Sequence, residues 1–134
     1  LATCQLHSLK RLVMTSKPRP TKIVLHQQSR MLEVAFDDDS VFNLSCEYLR
    51  VFSPSAEVRG HGPGQEVLQT GKENVNISAV ESVGAYAVRL VFDDGHDSGI
   101  YSWETLYELG AHHDVYWQAY LDKLKATGHE RQPH

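Results

Sequence analysis

"VAFDDDSVFNLSCEYLR" (residues 34–50) and "LVFDDGHDSGIYSWETLYEL" (residues 90–109) run through the same order of residue types. Each starts as an apolar strand, turns at Phe-Asp-Asp, enters a second short strand and reaches a serine followed by x-Glu-x-Leu. A serine at that point can cap a helix, and an early glutamate suits the helix N-terminus. Each stretch therefore predicts a hairpin that feeds a helix. Two such units are expected to share one sheet with helices at its ends.

The flanks extend both units. "KIVLHQQSRMLEVAF" adds a strand at Ile23–Leu25, then alternates Leu32, Val34 and Phe36 with Met31, Glu33 and Ala35. "QQSR" and "DDDS" are polar turns, so a meander is the simplest path. "VNISAVESVGAYAVRLVF" gives two strands around Gly84. Tyr86, Val88, Leu90 and Phe92 are expected on one face, with Ala87, Arg89 and Val91 on the other. Gly95 can supply a positive φ. The helix after Ser102 carries Glu104 in its first turn and is expected to stop at Gly110. A last helix has Asp114 at its cap, a stripe of Trp117, Tyr120, Leu121 and Leu124, and Gly128 at its end. Residues 53–75 hold Gly60, Gly62, Pro63, Gly64 and Gly71, the mark of a long loop.

These pieces describe an α+β fold: a small, mainly antiparallel β-sheet domain with short helices after its hairpins and a C-terminal helix. Its expected divisions are a flexible arm at 1–19, the domain at 20–112, a packed helix at 113–128 and a polar, disordered tail at 129–134. The 134 residues suit one domain, and 41% hydrophobic content is enough for a modest core. A net charge of −4 opposes a phosphate-tracking nucleic-acid surface. No apolar run approaches the ~20 residues that span a bilayer. Cys4 and Cys46 lie far apart, which argues against a disulfide framework and for a cytoplasmic setting. Cys46 is expected to be a small buried residue.

Residue chemistry alone names no active site. Eight histidines raise the question of a metal, yet HExxH, CxxC and His-x-His spacings are missing. His112 and His113 precede the last helix and suit a polar linker. His61 and His96 sit in loops near acids or arginine, where a turn-bonding histidine is commoner than a ligand. Asp37, Asp38, Asp39, Asp93 and Asp94 could offer oxygen ligands, though turn aspartates usually bond their own backbone. Trp103, Tyr101 and Tyr107 suit a core. No nucleophile is paired with a base at a recognisable spacing.

"KIVLHQQSRMLEVAFDDDSVFNLSCEYLRVFSPSAEVRGH" together with "VGAYAVRLVFDDGHDSGIYSWETLYELG" resembles the DUF971 family, the gamma-butyrobetaine hydroxylase-like N-terminal domain. The likeness covers about residues 20–112. It implies a small α+β domain that occurs alone in bacteria, precedes 2-oxoglutarate/iron oxygenase domains, or is joined to Mrp/ApbC-type iron–sulfur carriers. It also implies a structural zinc site in the oxygenase members: C-x-C-x-x-C after a Leu-Arg pair, plus a distant histidine. Here Leu49–Arg50 is followed by Ser53, Ser55 and Val58 at the cysteine positions, with His96 at the histidine. Serine hydroxyls replace thiolates poorly and valine cannot ligate. The zinc site is therefore expected to be lost, with His96 kept for a hydrogen bond across to the 53–61 loop.

The resemblance thus implies a non-catalytic module without cofactor, whose partner is a protein of an oxygenase or iron–sulfur carrier system. Its expected binding loop joins Ser53–Gly64 to Asp93–Ser98. Arg59, His61, Asp93, Asp94 and His96 would make polar contacts, and Tyr101 would be an anchor. The alternative is an accessory protein that holds iron or zinc through His61, His96 and carboxylates such as Glu57, Asp93 or Asp94. The sequence leaves the oligomeric state open. Residues 1–13 read as an extension ahead of a start at Met14. Their removal is expected to leave the melting temperature nearly unchanged, and a loss of several degrees in a thermal melt would refute this.

Overall fold

The computed structural model describes residues 18–55, Val58 and residues 68–129. Strands β1 (Pro20–His26), β2 (Met31–Phe36) and β3 (Val41–Ser45) form an antiparallel sheet in that order, and helix α1 (Cys46–Val51) follows. Strands β4 (Ile77–Val83), β5 (Ala87–Phe92) and β6 (Ile100–Ser102) form a second such sheet, followed by helix α2 (Trp103–Ala111). Helix α3 (His113–Ala126) comes last. The α+β class is as expected, but the two units build two sheets rather than one shared sheet.

The two units match almost bond for bond. The Asp37 amide donates to the Arg19 carbonyl at 2.9 Å, and the Asp93 amide donates to the Asn76 carbonyl at 2.9 Å. In return, Asp37 Oδ1 accepts from the Arg19 amide and Asp93 Oδ1 from the Asn76 amide. Asp38 Oδ1 accepts from the Ser40 amide at 3.0 Å, and Asp94 Oδ1 from the His96 amide at 3.1 Å. The next residue is left-handed in both turns, Asp39 at φ 71° and Gly95 at φ 93°. Ser45 Oγ caps α1 by accepting from the Tyr48 amide, and Ser102 Oγ caps α2 by accepting from the Thr105 amide. Both first ladders shift register at the same place, between Pro20 and Lys22 and between Ile77 and Ala79.

The links between the units are crossed. The Tyr48 hydroxyl of α1 donates to the Leu109 carbonyl of α2 at 2.6 Å. The Tyr101 hydroxyl of β6 donates to the Leu49 carbonyl of α1. Arg50 of α1 donates to Asp94 in the second unit's turn, and Tyr107 of α2 donates to Asp38 in the first unit's turn. Tyr107 also meets Phe36 and Phe42 edge-on, with ring centroids 5.0 and 5.5 Å away. Between the sheets, Leu32, Val34, Phe36 and Leu44 join Ile77, Val88, Leu90, Phe92 and Leu106 in one core. Burying each such side chain is worth about 1.5–3 kcal/mol, against about 1 kcal/mol for a neutral hydrogen bond. Apolar burial therefore supplies most of the stability, and the crossed bonds fix how the units are oriented.

Several local expectations change. Pro20 opens β1, where the missing N–H costs little on an edge strand. Tyr86 belongs to the turn before β5 and is exposed, whereas Ala87 on the opposite face is fully buried. Gly110 does not stop α2, which runs on to Ala111. It is needed because a Cβ there would strike the Phe42 ring. Asp114 does not cap α3 either; it lies in the first turn, pairs with His113, and His112 takes the cap position without a side-chain bond. His113 is no mere linker, since its ring stands 4.6 Å from that of Tyr48. Tyr120 and Leu124 of the expected stripe are buried against Val51.

Gly110→Ala separates two effects of opposite sign. Helix propensity alone would favour alanine by about 1 kcal/mol, while forcing a methyl into the packed Phe42 ring costs about 1–3 kcal/mol. The variant is expected to melt lower than the parent by a few degrees; a higher melting temperature would show that the ring gives way freely.

Candidate functional site

The site forms where the end of α1 meets the turn between β5 and β6. After the α1 C-cap at Phe52 the chain buries Ser53 completely. Ser53 Oγ and His96 Nε2 share a hydrogen bond of 2.9 Å. Ser53 Oγ also accepts from the Ser55 amide, and the Val58 amide reaches back to the Ser55 carbonyl at 3.0 Å. Ser55 Oγ and Ser98 Oγ share a further bond of 2.8 Å. Gly99 makes room for this, because a Cβ there would collide with Ser53 Oγ. His96 is itself buried, with its ring centroid 5.9 Å from that of Phe92 and its carbonyl accepting from the Phe92 amide. The expected bond from His96 to the 53–61 loop is thus present, with Ser53 as its partner.

A second knot lies beside the first. The buried Arg50 donates through Nε to Asp94 Oδ2 at 2.9 Å and through Nη1 to Gln69 Oε1 at 3.0 Å. Lys72 Nζ donates to the same Asp94 oxygen at 3.0 Å. The Tyr120 hydroxyl of α3 donates to the Gln69 carbonyl at 2.7 Å. Partial burial alone would raise the Asp94 carboxyl. The bonds from Lys72, the His96 amide and Arg50 outweigh it and hold the group at about 2.

The structure brings only some of the sequence-expected residues together. Arg59, His61 and Glu57 lie outside the described residues. Ser53, Ser55, Val58 and His96 come together. Asp93 is committed to the Asn76 amide, and Asp94 to Arg50, Lys72 and the backbone amide of His96. Tyr101 is corrected: it is fully buried with its hydroxyl on the Leu49 carbonyl, and cannot anchor a surface contact. The acidic turn Asp37–Asp39 behaves as a backbone-bonding turn, with Tyr107 pulling the Asp38 carboxyl below its usual range. Cys46 is buried as expected, and burial pushes its thiol up to about 11.

The residues do not fit a zinc ion. Ser53 Oγ touches His96 Nε2 directly at 2.9 Å. An ion between them would need each donor about 2 Å from itself on separate tetrahedral directions. Among the described residues no three of His, Cys, Asp and Glu converge on one point. The Ser53 hydroxyl beside an imidazole has the elements of an activated nucleophile, but complete burial keeps substrate from it in this arrangement. Among the described residues no buried side-chain nitrogen or oxygen lacks a partner.

The sequence did not single out Gln69, Lys72 or Gly99, and named Ser98 only as the end of the expected binding turn. One signal was available for Arg50. It is the charged residue between Leu49 and Val51 in a helix that is buried on all sides, and a buried cation needs a carboxylate.

A family model described as gamma-butyrobetaine hydroxylase-like, N-terminal, matches residues 23–107. One solution NMR structure is 52% identical, covering 90% of this chain and 89% of that one, with a TM-score of 0.76. Another is 46% identical, covering 89% and 94%, also with a TM-score of 0.76. A crystal structure of a DUF971-family protein of unknown function from Acidithiobacillus ferrooxidans is 39% identical. It covers 72% of this chain and 99% of that one, with a TM-score of 0.61. No curated protein matches. No helix among the described residues is long and apolar enough to cross a membrane.

The ionised Asp94 gives the protein an acid limb. Its folded value of about 2 lies below the ordinary 3.8, so its contribution is complete above 3.8 and is lost as pH falls towards 2. Asp94→Asn is expected to be less stable at pH 7 and to converge on the parent between pH 4 and 2. Denaturant melts across that window check it, and a constant gap between the two curves would contradict it.

Proposed function

The chain belongs to the gamma-butyrobetaine hydroxylase-like N-terminal (DUF971) family, and from that premise we propose that it is a non-catalytic, cytoplasmic interaction module. The supporting observation is that the chemistry-bearing side chains of the site close on one another. Ser53 holds His96, Ser55 holds Ser98, and Asp94 is held by Arg50 and Lys72. A catalytic or metal centre needs donors aimed at a shared vacant point. Here the same positions fasten the segments on either side of residues 56–67 to the β5–β6 turn.

The proposed interacting surface is the turn Asp93–Ser98, whose Asp93, Asp97 and Ser98 are exposed; the sequence adds Arg59 and His61, which lie outside the described residues. His96 builds the base of this surface rather than contacting a partner, because it is buried. The partner is a protein of a 2-oxoglutarate/iron oxygenase or iron–sulfur carrier system, the two settings the family resemblance implies. Charged rim residues set register and association rate more than bulk affinity. The alternative, iron or zinc held by His61, His96 and neighbouring carboxylates, gains no support from Asp93 and Asp94, which are bonded elsewhere.

A candidate oxygenase or iron–sulfur carrier is expected to bind the immobilised parent chain and to be lost with the R59A/H61A double variant; equal recovery would remove this surface. Elemental analysis of untagged protein completes the test. The parent, purified without chelator, is expected to carry almost no metal, whereas S53C/S55C/V58C is expected to take up about one zinc through three thiolates and His96. Stoichiometric metal in the parent would overturn the reading in favour of metal binding.

A further inference from the structure

We infer that the outer edge of β4 is a docking strand, and that it takes an extended segment of a partner protein with a basic residue opposite Glu81. Among the described residues β4 pairs with β5 alone. The ladder bonds tell which of its backbone groups are left over. The Leu90 amide donates to the Gly99 carbonyl, and the Trp103 amide donates to the Tyr86 carbonyl. These bonds lie beside the pairs Arg89–Ile100 and Ala87–Ser102, which are thereby the non-hydrogen-bonded pairs of the β5–β6 ladder. Ala87 and Arg89 therefore turn their amides and carbonyls the other way, to their β4 partners Val83 and Glu81. Val80 and Ser82 alternate with these, so their N–H and C=O groups point away from β5. Nothing among the described residues bonds to those groups.

Charge decides what fits. Glu81 is the single charged residue of β4, and its side chain is half exposed. Across the sheet the same row reads Glu81, Arg89, Ile100. Glu81 Oε1 accepts from Arg89 Nε at 2.9 Å, but that arginine is shared. Its Nη1 donates to the Asp97 carbonyl at 3.3 Å and lies 3.7 Å from the Asp97 carboxylate. Two carboxylates thus stand around one guanidinium. A strand added antiparallel to β4 places one residue directly opposite Glu81, in a close non-hydrogen-bonded pair. A basic residue there continues the alternation of charge along the row. The residues on either side of it bond to Val80 and Ser82 through the backbone, and a β-branched one suits the partly buried Val80.

The first unit supplies the contrast. Its edge strand β1 shifts register at the equivalent place, yet it begins with Pro20 and exposes Lys22 and His26. Proline and lysine are residues by which edge strands avoid unwanted pairing. β4 has neither. This edge is distinct from the turn Asp93–Ser98, and its test uses neither Arg59 nor His61.

The test is amide hydrogen exchange followed by NMR on the full chain, with synthetic peptides as probes. Without peptide, the Val80 and Ser82 amides are expected to exchange quickly and those of Glu81 and Val83 slowly. Slow exchange throughout would mean that the edge is already covered, and overturns the inference. The probe is acetyl-Ser-Thr-Thr-Arg-Val-Thr-Ser-amide. At saturation it is expected to slow Val80 and Ser82 by about tenfold or more and to leave Ile23 and Leu25 of β1 unchanged. N-methylation of the threonine and valine that flank its arginine is expected to abolish binding, because those amides meet β4. N-methylation of the arginine, whose amide points outward, is expected to be tolerated. Replacing the arginine by glutamate is expected to weaken binding to the parent about tenfold and to make little difference to E81Q. The inference is overturned by no protection from the probe, by protection at β1 instead, by equal loss with either methylation, or by an arginine preference that survives in E81Q.

Discussion

The crossed hydrogen bonds between the two halves set the geometry of everything else. Arg50 on α1 holds Asp94 in the second unit's turn, and Tyr107 on α2 holds Asp38 in the first unit's turn. Neither helix could do this from its own sheet. A three-stranded sheet with one apolar face needs a cover, and each half obtains part of its cover from the other. The site inherits its position from this arrangement, because Arg50 leads directly into Ser53 and Asp94 leads directly into His96.

Comparing the equivalent turns shows what is special about one of them. In the first unit the position two beyond the bonding aspartate is Ser40; in the second it is His96. The first aspartate takes a neutral phenol, the second takes two cations. The second turn also carries additional residues before its strand, Asp97, Ser98 and Gly99, and Ser98 and Gly99 are the ones that meet Ser55 and Ser53. The ionic pair is little exposed, so desolvation offsets much of its attraction. It fixes the orientation of α1 against the turn and, with Lys72 and the His96 amide, keeps Asp94 ionised.

Much of the fold was legible in the sequence. The alternation of Leu32, Val34 and Phe36 reports a half-buried strand by its period alone, and Ser45 and Ser102 announce their helices by capping chemistry. The shared Phe-Asp-Asp order foretold two like units. What it could not convey was sheet membership, because which strands pair is not set by local residue pattern. The same limit explains Gly110 and Tyr101. A glycine near a helix end and a tyrosine near a loop have common local meanings, and both were overruled by distant partners, Phe42 and Leu49. In the site, the Ser53–His96 contact followed from the family pattern, whereas Lys72, Gln69 and Ser98 carry no local signature of their role.

The crossed bonds also bear on how the chain is made. The strand pairings are local, joined by turns of a few residues, and such pairings form quickly. The bonds that complete them span 44 residues from Arg50 to Asp94, 52 from Leu49 to Tyr101, 61 from Tyr48 to Leu109 and 69 from Asp38 to Tyr107. On a ribosome the first half precedes its cover, which comes first from Ile77, Val88, Leu90 and Phe92 of the second sheet and is completed by Leu106 and Tyr107 of α2. Synthesis at about 5–20 residues per second makes the interval to completion several seconds. Leu32, Val34 and Phe36, buried in the folded chain, are thus made before most of the residues that bury them.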